Sequence, residues 1–365
     1  MDAVLDTLVR IAEFIIAFGL LVFLHEFGHY IMAKLFNIEV EEFGFGFPPR
    51  MLRLFKFRET EFTLNWIPFG AFVRPKGEND PNVPGGLASA SPWARLAVLG
   101  GGSLMNLATG VLLFGLVFNQ VGVANRQVVL ISDVAENTPA SQAGIQPNDE
   151  VLTANGVRID SMDRLRQVVD QNLGKEIPIT LKRGNETIET SATPRANPPA
   201  GQGALGIVMS NPVRQVSWLE AIPQAVSTTI DQGRQLITLP VMLIRGQLSA
   251  EEGRLVGPKG IYDIYQEARS RDQEGANIPA AEQPSPWLNR LGLLATLSVA
   301  LGYTNLLPIP ALDGGRILFV LPEILLRRRV PAQYENMIHL IGFAALILLM
   351  IYITTQDIIN PIQLP

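Results

Sequence analysis

The stretch IIAFGLLVFLHEFGH, residues 15–29, decides how this chain is read. An apolar run ends in His25-Glu26-Phe27-Gly28-His29, so two imidazoles and a carboxylate stand at the end of a hydrophobic segment. On a helix, positions i and i+4 lie one turn apart on the same face, and both histidines can reach one ion. Glu26 stands beside them, placed to take a proton from a water that zinc activates. Zinc held there would bring the pKa of that water toward ~7 and polarise a peptide carbonyl, which is metal-assisted hydrolysis. A helical His pair in a soluble protein can be ordinary polar surface. At the end of an apolar helix, ionisable groups are expensive and usually functional.

Outward from this stretch, the apolar segment runs from Leu5 to Leu24. That is about 20 residues, enough to cross roughly 30 Å of hydrocarbon. It lacks a basic leader, contains Glu13 and has no small-residue cleavage site after it, so it reads as a span rather than a signal peptide. A second segment, Leu96 to Val123, is rich in small residues (Gly100, Gly101, Gly102, Ser103, Ala108, Gly110), which suits close helix packing in a bilayer. A third, Leu291 to Leu307, stops at Pro308 and Pro310; a fourth, Met337 to Thr355, is the most lipid-like. A shorter piece, Ile317 to Leu326, reads as a half-buried or interfacial helix. The chain is 47% hydrophobic and 17% charged, where a soluble domain carries about 25% charge. A net charge of −5 argues against nucleic acid as a partner. The absence of cysteine excludes disulfides and thiolate chemistry.

The loop from Lys34 to Arg95 and the loop carrying Arg316 and Arg327-Arg328-Arg329 are basic, and the positive-inside rule places both in the cytosol. Both termini, and the long segment from Ala124 to Trp287, are then expected outside. That segment opens with domain character: β-rich runs at Val128–Ile131, Ile177–Leu181 and Thr187–Thr193, one amphipathic helix near Met162–Val169, and turns at Asn137-Thr138-Pro139, Asn155-Gly156 and Arg183-Gly184-Asn185. A Pro/Gly-rich hinge, Pro194 to Gly206, closes it. Residues 218–248 read as an amphipathic helix lying on the membrane or on the protein, and residues 273–286 as a loose linker.

A catalytic zinc generally takes three protein ligands. The remaining histidine, His339, heads the last apolar segment and reads as a helix-end residue at the interface. The better third candidate is Asp313, in Asn305-Leu-Leu-Pro308-Ile-Pro310-Ala-Leu-Asp313-Gly314-Gly315-Arg316, where the glycines allow close backbone approach. Two prolines break the third span there, which is tolerated where backbone lines a polar cavity or is buried in protein. The alternative at this point is that Asp313 only caps the helix that follows.

The His-Glu-Phe-Gly-His sequence at the end of a first span, with Asn-x-x-Pro-x-Pro-x-Leu-Asp-Gly-Gly near the C-terminus, resembles the site-2 protease family of intramembrane zinc metalloproteases, and among them the bacterial RseP type. The resemblance extends to Gly44–Phe47 and Phe62–Val73, similar to the family's membrane-associated β-loop, to Asn106, and to Gly257-Pro258-x-Gly260-Ile261. It implies zinc bound by His25, His29 and Asp313, Glu26 as catalytic base, and Asn305 holding the substrate backbone. It also implies that a helical substrate must unwind, since a helix hides its peptide bonds, and that the β-loop near Phe62 holds the unwound stretch as an added strand. The outside domain resembles a PDZ domain through Pro139-Ala140, Ala143-Gly144-Ile145, Asp149-Glu150-Val151 and Asn155-Gly156. Asn148 stands where a glycine is usual, and asparagine tolerates positive φ better than most residues. No carboxylate-binding glycine loop precedes Val128, which favours a size filter over a peptide receptor.

The expected architecture is therefore a polytopic α-helical membrane protein of about four spans, with a membrane-associated β-loop and one inserted extracytoplasmic PDZ domain. Its expected parts are a membrane region at 1–124, the PDZ domain at 125–212, an amphipathic region and linker at 213–287, and a second membrane region at 288–365. The expected function is zinc-dependent intramembrane endoproteolysis in the bacterial inner membrane, with the zinc site toward the cytoplasm. The expected partners are the lipid bilayer and single-pass substrates, such as a pre-trimmed anti-sigma factor or signal-peptide remnants. A silent scaffold would show damage to the zinc motif, and a transporter would show inverted repeats. Neither feature is visible.

Overall fold

The computed structural model of the chain describes residues 2–199, 201–247, 253–275 and 285–361. The chain forms two compact units, one of residues Met1–Gln120 with Trp218–Pro365, the other of Val121–Ser217. In chain order the elements are α1 (Asp2–Leu35), β1 (Val40–Phe57), β2 (Thr60–Pro75) and α2 (Pro92–Val121). Next come β3 (Val123–Ala124), β4 (Leu130–Val134), α3 (Pro139–Gln142), β5 (Glu150–Ala154), β6 (Val157–Arg158) and α4 (Met162–Asp170). These are followed by β7 (Ile177–Arg183), β8 (Glu186–Ala192), β9 (Ile207–Ser210) and β10 (Val213–Arg214). The chain closes with α5 (Trp218–Ile244), α6 (Pro258–Gly275), α7 (Leu288–Leu306), α8 (Asp313–Leu326) and α9 (Ala332–Ile359).

Among the described residues three helices, rather than the four expected, are long and apolar enough to cross a membrane: α1, α2 and α9. The expected third span forms α7, but its 19 residues include Arg290, Thr296, Ser298, Tyr303, Thr304 and Asn305, which dilute its apolarity. On α9 only Asp357 is buried, and Leu340, Ile341, Leu348 and Ile351 are exposed along its flanks. So continuous an apolar surface requires hydrocarbon around it.

Charges on the apolar helices are met by α6. The Asp357 carboxylate accepts from Gly257 and Gly260 N–H at 2.9 and 3.0 Å and from Arg254 at 3.0 Å. It thereby satisfies donors that the start of α6 leaves open, and it explains Gly257. A side chain at Gly257 would meet Asp357 Oδ2 at 2.8 Å. Glu13 of α1 pairs with Arg269 at 3.2 Å, and Asp272 with Arg290 of α7 at 2.8 Å. Residues 218–244 form α5, one face of which lies on the protein while Leu219, Ile230, Ile237 and Val241 stay exposed. The Trp218 ring packs on Gly115 of α2 and the Tyr303 ring of α7 packs on Gly233, sites about 22 Å apart along the helix at 1.5 Å per residue. Residues 276–284 of the expected linker lie outside the described residues, and those before them, up to Gly275, continue α6.

β1 and β2 each bend midway, at Gly46 (φ 77°) and Gly70 (φ 84°), so the pair makes a sheet of four segments. Residues 40–45 pair with 61–64 on one side and with 71–75 on the other, and 50–57 pair with 60–65. The order across the sheet is thus 50–57, 60–65, 40–45, 71–75. Phe62 lies in the interior of this sheet, paired with Phe43 and Phe55. An added strand cannot reach it there. The sheet's edges are residues 50–57 and Ala71–Pro75, the second lying within the stretch expected to form the β-loop.

In the second unit the sheet order is β8-β7-β5-β4-β9, with β6 paired to β5, and β3 pairs with β10 where the chain enters and leaves. Alternation along β7 buries Ile177, Ile179 and Leu181 against Val129, Ile131, Leu165 and Val168, each full burial contributing about 2 kcal/mol. Asn155 and Gly156 both have positive φ, 49° and 74°, the signature of a tight hairpin turn. Asn148 adopts φ 72°, so the turn survives its departure from glycine. Ser161 caps α4 by accepting from Arg164 N–H at 3.2 Å. Asp149 is fully buried. Burial opposes its ionisation, yet hydrogen bonds from Arg183 and from Gln146 N–H hold its carboxyl below the usual range.

Candidate metal centre

α1 reaches α2 closely because glycine faces glycine: a side chain on Gly101 would stand 2.7 Å from the Gly28 carbonyl oxygen. The neighbouring Gly102 lies under the histidine pair, and a Cβ there would overlap His29 Nε2 and approach His25 Nε2 to 2.7 Å. α8 brings the third group. Leu312, with no side-chain hydrogen bond, occupies the cap position, and Asp313 is the first residue inside the helix. The capping alternative for Asp313 therefore fails. Its Oδ2 lies 3.1 Å from His25 Nε2 and 3.3 Å from His29 Nε2, and the two Nε2 atoms are 3.1 Å apart. One ligand atom from each of the three residues lies within 4.8 Å of the others. The side chains are 10, 12 and 18% exposed, so water is largely kept from a site joined across 288 residues.

Each group is oriented by a partner. His29 Nδ1–H donates to the Val98 carbonyl at 2.7 Å, which leaves Nε2 with its lone pair directed at Asp313. The Asn106 amide lies 3.3 Å from His25 Nδ1, and its buried Oδ1 has no partner among the described residues. Rotating that amide by half a turn lets Oδ1 accept from Nδ1–H, which satisfies the orphaned oxygen and frees His25 Nε2 as well. Two imidazole nitrogens, a carboxylate and a glycine-lined space fit zinc, which takes such N and O donors.

Glu26 is not among the three converging groups. Its Oε2 accepts from the Val73 N–H at 3.1 Å, so the edge segment Ala71–Pro75 holds the carboxylate beside the pair. Asn305 is half-buried in the last turn of α7, and the carbonyls of the next two residues, Leu306 and Leu307, abut Gly314. His339 is not at a helix end. It lies two turns into α9, where its Nδ1 accepts from Ala311 N–H at 2.8 Å. Sequence reasoning missed the Val73 N–H, the Val98 carbonyl and the space at Gly102. The glycine run at 100–102 was the one available signal.

The second unit carries a groove of about 440 Å³ between α4 (Leu165, Arg166, Val169, Asp170) and the segment from Gly203 to Met209. Its outer wall is β9, an edge strand. No glycine loop precedes Val128 at the groove; the glycines beside it are Gly203 and Gly206, on the segment that leads into β9. In sequence it had read as part of a hinge.

The sequence profile of Peptidase family M50 matches residues 13–349. A Clostridium perfringens chain provisionally named a zinc metalloprotease is 32% identical over 350 residues, covering 95% of this chain and 98% of that one. The regulator of sigma-W protease RasP of Bacillus subtilis is 27% identical over 431 residues, covering 95% of this chain and 98% of its own. A crystal structure of the PDZ domain of an SdrC-like protein from Listeria monocytogenes aligns with 24% of this chain and 93% of that domain, at 19% identity. Its TM-score of 0.21 is too low to bear on the fold.

Proposed function

Because the chain belongs to peptidase family M50, the site-2 protease family, and is a zinc metalloprotease of the RseP type, we propose that it cuts peptide bonds within membrane-spanning segments, at the centre formed by His25, His29 and Asp313. The observation that carries this reading is the convergence of those three side chains on the last three turns of an apolar helix. When bound, zinc supplies a Lewis acid that polarises the scissile carbonyl and brings the pKa of a water toward ~7. The chain's own groups do the rest. Glu26, anchored through Oε2 to Val73 N–H, keeps Oε1 free to take a proton from the attacking water and return it to the leaving amine. The Val98 carbonyl and Asn106 fix the histidine tautomers. Asn305 offers its amide to the backbone of an unwound substrate, which lies beside the edge segment Ala71–Pro75, whose Val73 N–H stays with Glu26.

The substrates of this reading are single-pass membrane proteins, such as an anti-sigma factor shortened by an earlier cut or the remnant of a signal peptide. The fold is read as four spans, α1, α2, α7 and α9, in a bacterial inner membrane. The second unit, a PDZ-type domain over 125–212, lies outside, and the zinc centre lies toward the cytoplasm. The groove beside β9 supports peptide capture by strand addition, the alternative to a size filter. Val208→Asp at the groove wall should raise KM for a substrate with an extracytoplasmic tail; an unchanged KM would favour the filter.

The test is cleavage of a membrane-spanning model substrate by reconstituted protein, wild type beside Glu26→Gln, with zinc measured on both. Glu26→Gln should keep the metal and lose the activity by about three orders of magnitude or more. A Glu26→Gln protein that cuts at the wild-type rate would refute the role given to Glu26.

A further inference from the structure

α8 begins at Asp313 directly after the turn Ile309-Pro310-Ala311-Leu312. Leu312 N–H donates to the Ile309 carbonyl at 3.1 Å, and Ala311 has φ 77°. Proline at the second position and positive φ at the third fit a type II turn, whose third position normally takes glycine or asparagine. Ala311 therefore sits where its Cβ is resisted by the backbone, and something must hold it there.

Two residues one turn apart on α9 do so. Ala311 N–H donates to His339 Nδ1 at 2.8 Å. Gly342 gives Pro310 its seat, since a Cβ at Gly342 would come within 2.8 Å of the Pro310 carbonyl oxygen. Accepting at Nδ1 places the proton of a neutral imidazole on Nε2, and among the described residues that buried atom has no hydrogen-bond partner. The ring lies beside Phe319, centroids 5.5 Å apart. A leucine would fill such a space without burying an unpaired N–H. What an imidazole adds is the acceptor.

We propose that His339 is a positioning residue for zinc binding: through Ala311 N–H it locks the strained turn that sets where the Asp313 carboxylate meets His25 and His29. It acts on the metal only through that turn, and the inference rests on Asp313 as a ligand. His339→Leu should raise the zinc dissociation constant on the order of tenfold. Its kcat should fall by a similar factor while KM stays within about twofold. His339→Asn, whose side-chain oxygen can stand near the position of Nδ1, should restore both to within about threefold. His339→Gln, which carries its oxygen one bond farther out, should not.

The experiment uses full-length protein in nanodiscs, with zinc affinity read by competition against a chromogenic chelator and cleavage read in parallel. Wild-type zinc affinity in His339→Leu would overturn the proposal. Equal zinc affinity in His339→Asn and His339→Gln would do the same, and that comparison stands even where His339→Leu fails to fold. Asp313→Asn runs alongside. Tight zinc binding by that variant would remove the ligand assignment itself, whereas its loss with unaltered His339 variants would overturn the role of His339 alone.

Discussion

Which ring nitrogen of His25 and His29 is free decides whether the pair can bind metal at all. The answer lies in residues far away in sequence, the Val98 carbonyl and the Asn106 amide. Gly102 adds a steric condition, because any side chain there enters the space between the two Nε2 atoms. Gly102→Ala should weaken zinc binding about 10- to 100-fold in a chelator competition, while leaving the helices intact. A wild-type affinity would show that the site relaxes around the methyl. The ligand motif itself was legible because its chemistry is local, two histidines one helical turn apart and an aspartate before two glycines. The orienting partners were not, since a backbone carbonyl or N–H leaves no mark on residue type. His339 misled for the same reason: its position in an apolar segment says nothing of the Ala311 N–H it accepts from.

Among elements, the second unit ties its sheet to its turns through an ion pair whose carboxylate is buried and whose guanidinium is partly exposed. Arg183 of β7 donates to Asp149 at 2.7 Å from Nε and 2.8 Å from a terminal nitrogen. The carboxyl titrates below its unfolded value of 3.8, so its stabilisation is complete above that pH and is lost as pH falls through the lowered folded value. The protection factors of the β5 and β7 amides, exchange corrected for its intrinsic pH dependence, should therefore fall below about pH 4 in wild type. In Asp149→Asn exchange should already be faster at neutral pH, by an amount equivalent to about 2 kcal/mol. Identical exchange in the two proteins would contradict the pair's role. Leu181→Ala, at a fully buried position of the same strand, should cost about 3 kcal/mol by the same readout. The alternation of β7 and the Asn155-Gly156 turn were plain in sequence. The groove was not, because order along the chain does not reveal which strand ends at the sheet's edge, and the segment from Gly203 lines a groove only because β9 takes that place.

For the whole molecule, apolar run length located α1, α2 and α9, where composition and structure coincide. α7 was found by the same means, yet it carries polar groups that answer to neighbours: Ser298 donates to the Asn106 carbonyl at 2.8 Å, and Arg290 meets Asp272. The basic loops give an orientation that a chain without cysteine makes easy to check. Lys56→Cys should react with an impermeant maleimide only from the cytoplasmic face, and Asn185→Cys only from the opposite one. Labelling of both from one face would overturn the topology.

The proposed activity depends most on one metal centre built from two distant parts of the chain. X-ray absorption at the zinc edge of purified wild-type protein, with zinc content compared against Asp313→Ala, addresses it directly. The prediction is about one zinc per chain, two imidazoles and oxygen donors near 2.0–2.2 Å, with most of the zinc lost in Asp313→Ala. A spectrum without an imidazole pair, or full zinc content in Asp313→Ala, would contradict it.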